Sequence, residues 1–174
     1  MTVSPTHTLA DVNALDAAGF VAAFGDIAEH SPWVAERAAA RRPFADRDAM
    51  IAAMIAAVLE ADHAEQERLI GAHPDLAGKA ARAGALTEDS RREQAGAGLD
   101  SLTEAEFARF TWLNDSYRAK FGFPFIFAVR GATKDMILEG FEARVGNTAE
   151  VEFATALEQV TRIIRFRLED RIAP

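Results

Sequence analysis

Asp46-Arg47-Asp48-Ala49-Met50-Ile51-Ala52-Ala53-Met54-Ile55-Ala56-Ala57-Val58-Leu59 is the stretch that decides the fold class. Asp46 has the side chain of a helix N-cap, alanine fills the positions behind it, and Ile51, Met54, Ile55 and Val58 recur at three- and four-residue spacing as one apolar stripe. The spacing predicts a buried central helix to about Leu59, with a further turn or two carrying on to Ala72. The same punctuation repeats outward in both directions. Asp16 caps a helix running to about His30, and Ser31-Pro32-Trp33 supplies an N-cap and a proline at the first helical position of a helix ending near Arg42-Pro43. Thr87 starts a short polar helix that stops at Gly96 or Gly98, and Thr103-Glu104-Ala105-Glu106 is a capping box opening a helix to Phe121, closed by Gly122. A helix from about Thr133 to Val145 precedes a last one, opened by Asn147 with Glu150 and running to about Asp170. With alanine abundant and β-branched runs scarce, the expectation is an all-α protein: one compact multi-helix domain over residues 1–174, with 1–13 as a loosely ordered N-terminal arm.

One segment, about 121–131, does not read as helix. Phe121, Phe123, Phe125 and Phe127 alternate with Gly122, Pro124 and Ile126, and period two with a proline means extended chain. Its peptide groups must find partners that a helix would have supplied internally. A small heterocycle with amide-like edges is one such partner, the phenylalanines covering its faces; a hydrophobic plug across the core is the other reading.

Composition removes whole classes of function. The chain has 174 residues, 19 basic against 27 acidic, a net charge of −8, and no cysteine. Thiol nucleophiles, cysteine zinc sites, iron–sulfur clusters and disulfides are excluded, and a reducing cytoplasm fits. The arginines are interleaved with acids, which argues against nucleic acid as a partner. The longest apolar stretch, residues 49–59, is about half the ~20 residues needed to span a bilayer. Neither terminus carries an address signal, so a soluble cytoplasmic protein is expected, with no membrane partner.

Four places could carry chemistry. In His73-Pro74-Asp75 the proline keeps His73 off the helical conformation, so the imidazole sits at a helix exit, where it can face a cleft or simply complement the helix dipole. In Ser90-Arg91-Arg92-Glu93-Gln94 a hydroxyl, a carboxylate and an amide fall at i, i+3 and i+4 on one helical face, unless Ser90 and Glu93 form a second capping box in competition with Thr87. The third is the extended phenylalanine segment. The fourth is Arg167, which falls inside the stripe of Val160, Ile163, Ile164 and Leu168, while Arg162 and Arg165 lie on the polar side. An arginine there must hold a ligand carboxylate, pair with a buried acid such as Glu93, or snorkel to solvent. His63 and Glu67 at i, i+4, beside Asp62, lack a second histidine within helical reach, so no metal site is expected.

The runs 72–79 (AHPDLAGK), 90–99 (SRREQAGAGL) and 120–131 (KFGFPFIFAVRG) make the chain similar to the 2-oxo-4-hydroxy-4-carboxy-5-ureidoimidazoline (OHCU) decarboxylase family. The likeness extends from about Ala14 through Ser31-Pro32-Trp33 to Leu168. It implies an all-helical, cofactor-free carboxy-lyase of urate breakdown, commonly a homodimer, that converts OHCU into (S)-allantoin and carbon dioxide. It also implies His73 and Glu93 as the acid–base pair and Pro74, Ser90, Gln94, Arg167 and the backbone of Phe125, Ile126 and Phe127 as substrate contacts. Two other functions share these residues: a non-catalytic helical module binding a ureide, a purine metabolite or a partner helix, and a different cofactor-free ureide lyase or hydrolase.

Overall fold

A computed structural model describes residues 6–174. The described residues are all-α: α1 (Leu9–Ala14), α2 (Ala17–Phe24), α3 (Trp33–Ala39), α4 (Arg47–Leu59), α5 (His63–Ala72), α6 (Lys79–Arg82), α7 (Glu88–Gly96), α8 (Glu104–Phe121), α9 (Lys134–Arg144) and α10 (Ala149–Arg171). Among them there is no strand, only an isolated bridge between His7 and Ile172. Of the stretch expected as a loose arm, residues 1–5 lie outside the described residues. Within the rest, Thr8 and Asp11 form a reciprocal capping box that opens α1.

The chain forms two compact units. The described part of the first is residues 6–72 with Val160–Pro174; the second is His73–Gln159. In the first unit Asp16 caps α2 and Asp46 caps α4, each carboxylate accepting an N–H three residues on at 2.7 Å. Such a cap is worth about 1 kcal/mol. Ile51, Met54 and Val58 of the α4 stripe are buried, but Ile55 is only half-buried and Ala53 and Ala57 take its place against the interior. Several boundaries differ from the sequence expectation, and α3 ends at Ala39 rather than near Arg42-Pro43. α2 stops at Phe24 rather than near His30, and the Ser31 hydroxyl donates to the Glu29 carbonyl instead of capping α3. α5 is a separate helix rather than a continuation of α4, opened by the reciprocal pair of Asp62 and Glu65.

The second unit runs from α6 to the first half of α10. Thr87 caps α7, Thr103 and Glu106 form the expected box on α8, and Gly122 closes α8 at φ +80°, a left-handed conformation that suits glycine. α10 opens on the Thr148 hydroxyl, which accepts from the Val151 N–H, rather than on Asn147. The core gathers Leu76, Phe110, Leu113, Tyr117, Phe125, Ile137 and Phe141. No helix among the described residues is long and apolar enough to cross a membrane.

Candidate active site

Loop 73–78 leaves α5 and is tied down by side chains from two helices. Gln94 of α7 accepts from the Ala77 N–H at 2.9 Å and donates to the Asp75 carbonyl at 3.4 Å. From α8, Asn114 donates to the Leu76 carbonyl at 2.9 Å and Arg118 to the Asp75 carboxylate at 2.8 Å. Ala77 adopts φ +50°, a strained value for a residue with a Cβ, and a Cβ on Gly78 would lie 2.7 Å from that of Asp75. The loop is therefore wound tightly. His73 at its start is 7% exposed, Leu76 packs into the core, and Pro74 is half-buried. The Asn114 Oδ1 is buried and has no hydrogen-bond partner among the described residues.

On α7 the Thr87 hydroxyl accepts from the Ser90 N–H, which settles the competition for the cap in favour of Thr87. Ser90 and Glu93 therefore serve as helix-interior side chains rather than as a second capping box. Ser90 and Gln94 are buried and Glu93 half-buried, while Arg91 and Arg92 point outward and pair at i, i+3 with Glu88 (2.6 Å) and Asp89 (2.8 Å). A cavity of about 450 Å³ in the same unit is lined by Ala77, Arg82, Arg91, Gln94, Leu99 and Phe107. Of the expected site residues only Gln94 borders it.

Residues 123–129 form neither helix nor strand. Phe125 stacks on Phe141 at 3.8 Å between centroids with the rings 8° apart, and meets Tyr117 edge-on at 5.4 Å. Phe127 fits against α9 because Gly140 has no Cβ there; one would lie 3.0 Å from the ring. Side chains hold the peptide groups at two points, and the Val129 carbonyl accepts from the Ala132 N–H at 3.0 Å. Arg144 Nη1 donates to the Ile126 carbonyl at 2.7 Å, and the Ala128 N–H donates to Gln159 Oε1 at 2.9 Å.

Arg144 rests on a buried carboxylate that the sequence reading missed. Glu152 is fully buried and accepts from Arg144 Nε and Nη2 (2.9 Å at the closest), from Asn147 Nδ2 at 2.8 Å and from the Tyr117 hydroxyl. Burial alone would raise the Glu152 carboxyl; the hydrogen bonds from Arg144, Tyr117 and Asn147 outweigh it and hold the group below its ordinary range. Burial and the facing carboxylate push the Tyr117 hydroxyl well above its ordinary value. Asn147 was expected as a helix cap; its 2.8 Å bond to Glu152 puts its amide into this network instead.

In the first unit Arg167 is 2% exposed, as its place in the apolar stripe requires, and the acid it meets is Glu29, 1% exposed, at 3.0 Å; the same Nη1 donates to the Ile27 carbonyl at 3.1 Å. The pair is charge-assisted and out of water, so removing either partner alone would strand a buried charge. Arg165 lies on the polar side with Asp48 and Glu169. His63 and Glu67 form an exposed pair at 3.2 Å, and no group of three or more potential metal-binding His, Asp or Glu side chains occurs among the described residues.

Three comparisons bear on this arrangement. The family model for OHCU decarboxylase matches residues 13–169. The chain is 45% identical to a 2-oxo-4-hydroxy-4-carboxy-5-ureidoimidazoline decarboxylase of Haloferax volcanii over 95% of its own length and 96% of the relative's. It is also 42% identical to a uric acid degradation bifunctional protein of Bacillus subtilis, covering 95% of this chain but 33% of that one. Among solved structures it resembles a crystal structure of (S)-allantoin synthase, with a TM-score of 0.75 and 36% identity over 95% of this chain, which spans about half (54%) of that one.

Proposed function

We propose that this chain, which belongs to the OHCU decarboxylase family, removes carbon dioxide from OHCU to give (S)-allantoin. The observation that carries the reading is the 45% identity to a decarboxylase of that name over nearly the full length of both chains. The site geometry agrees with it: a histidine on a pinned loop, and a hydroxyl, a carboxylate and an amide on the α7 face that holds that loop through Gln94.

Breaking the bond between the ring carbon and its carboxyl group releases carbon dioxide and leaves an electron pair at that carbon. The adjacent ring C=N takes up the pair, so the substrate supplies its own electron sink and the protein has three tasks. It excludes water around the departing carboxylate, stabilises the charge entering the ring, and delivers a proton to one face of the carbon that bears the ureido group. His73 handles the proton of the 4-hydroxyl or of the neighbouring nitrogen, and Glu93 orients or charges the imidazole. Ser90, Gln94 and Pro74 contact the ureido and ring groups, and the backbone at Phe125, Ile126 and Phe127 edges the ring. Arg167 binds substrate; that assignment rests on the family resemblance and on the bidentate chemistry of a guanidinium with a carboxylate. The same resemblance implies a homodimer, which sedimentation velocity would check.

The test is circular dichroism at an allantoin band while freshly generated OHCU decays with and without the protein. Spontaneous decay gives racemic product, so a fast signal of one sign, lost in His73→Ala, is the expected result. Decay at the spontaneous rate without optical activity, from a folded protein, would overturn the reading and leave a binding module in its place.

A further inference from the structure

The two side-chain bonds that pin residues 123–129 fall on either side of Phe127. A trans peptide unit is planar, with its N–H and C=O pointing in opposite directions, and the bonds on both sides of Phe127 are trans. Arg144, by holding the Ile126 carbonyl, therefore fixes the direction of the Phe127 N–H, which leaves the same peptide plane on the far side. Gln159, by holding the Ala128 N–H, fixes the Phe127 carbonyl in the same way. Among the described residues neither the N–H nor the carbonyl of Phe127 makes a hydrogen bond, although polar backbone groups in a packed segment need partners. Arg144 is itself immobilised, with Nε and Nη2 on the buried Glu152 and its guanidinium carbon 4.3 Å from the centre of the Phe125 ring.

We propose that Arg144 and Gln159 are positioning residues for the decarboxylation: they lock the two peptide planes flanking Phe127, so that its N–H and carbonyl present a fixed donor–acceptor pair to the C=O/N–H edge of the imidazoline ring. The inference rests on the reaction proposed above, and it deepens it by naming the two residues that hold the segment in place for the ring. The N–H donates to a ring carbonyl and the carbonyl accepts from the neighbouring ring N–H, so the pair selects cyclic ureides over rings that lack that edge. Neither Arg144 nor Gln159 touches the substrate.

Steady-state kinetics on Gln159→Leu, Gln159→Glu, Arg144→Lys and Tyr117→Phe test it. Loss of one well-aimed hydrogen bond raises KM for OHCU about tenfold in Gln159→Leu and Arg144→Lys, with kcat held within about threefold. Gln159→Glu, which keeps the acceptor, restores KM. Tyr117→Phe disturbs the same buried network without touching residues 126–128, so it lowers stability and leaves KM unchanged. Wild-type KM in folded Gln159→Leu and Arg144→Lys, or an equal rise in Tyr117→Phe, overturns the proposal. In the wild-type chain, saturating (S)-allantoin, which carries the same ring edge, should slow amide exchange at Phe127; unchanged exchange overturns it whether or not the variants fold. If the wild-type chain does not accelerate OHCU loss, the proposed reaction fails separately, and the exchange experiment still judges the Phe127 pair.

Discussion

Loop 73–78 and residues 123–129 are both non-helical pieces of the second unit, held by side chains reaching from helices, yet they leave opposite parts to offer. In the loop the peptide groups are tied, through Gln94 and Asn114, which leaves a side chain, His73, as what the loop has to offer. In the phenylalanine segment the side chains are tied, stacked on Phe141 and Tyr117 and fitted against Gly140, and the peptide groups of Ile126 and Ala128 are held as well, which leaves those of Phe127. With no sheet among the described residues to absorb stray backbone, each segment ties down most of its groups and leaves one kind, a side chain in the loop and a main chain at Phe127.

The contrast can be broken most severely at His73. His73→Ala should lower kcat by about 10²–10⁴-fold, the range for a proton-transferring group, with the far-ultraviolet dichroism and cooperative melt retained. Glu93→Gln follows in the same direction with a smaller loss. Because the α7 cap belongs to Thr87, its melt should stay that of the wild type; a large loss of stability with normal turnover would return Glu93 to a structural role. Next is the tether: Asn114→Ala removes the donor to the Leu76 carbonyl and should cost about 1–3 kcal/mol in urea denaturation, lowering kcat by freeing the His73 loop. Stability changed with kcat untouched would show that the tether does not matter to the histidine.

The buried network makes a pH prediction. Glu152 has a folded-state value below its ordinary 4.5, so the unfolded chain takes up that proton first as pH falls. The stabilisation is fully present above about pH 4.5 and is lost below it as the folded value is approached. Tyr117 is raised above its ordinary 10, so its contribution is present below pH 10 and lost above it. Glu152→Gln should flatten the acid side of a plot of stability against pH, read from urea melts at stepped pH; an unchanged acid side would remove Glu152 from the account. The smallest effect is expected at Phe127→Leu, a stability loss of about 1 kcal/mol and a KM within about threefold of wild type, because its main chain matters rather than its ring. A tenfold rise in KM would place the ring itself against the substrate.

Helix starts with local chemistry were legible: Asp16, Asp46, Thr87, Thr103 and Thr133 each cap the helix that the spacing assigned to them. Misreadings came where two capping groups stood side by side or a hydroxyl found a better partner. Asn147 yields to Thr148, and Ser31 turns to the Glu29 carbonyl. The separate start of α5 had a readable signal in Asp62 and Glu65, three residues apart, which the apolar run before it masked. At the candidate site, the solvent-averse place of Arg167 followed from helical phase alone, whereas its partner Glu29, 138 residues away, did not. Glu152, Tyr117 and Arg144 also gave no local sign, since Glu152 reads as one more acid at a helix start and its partner Tyr117 is 35 residues distant.

α10 belongs to both units, residues 149–159 to the second and 160–171 to the first, and this has a consequence for synthesis. Translation proceeds at about 5–20 residues per second, so several seconds separate the completion of α5 from the arrival of the helix that finishes the first unit. During that interval the carbonyls of Ala23 and Ile27 and the carboxylates of Asp26 and Glu29 lack Arg171 and Arg167, their partners in the finished protein. The second unit, made later, has its sequence complete sooner. The nascent chain thus finishes the part that carries His73 and Glu93 while its own beginning still waits.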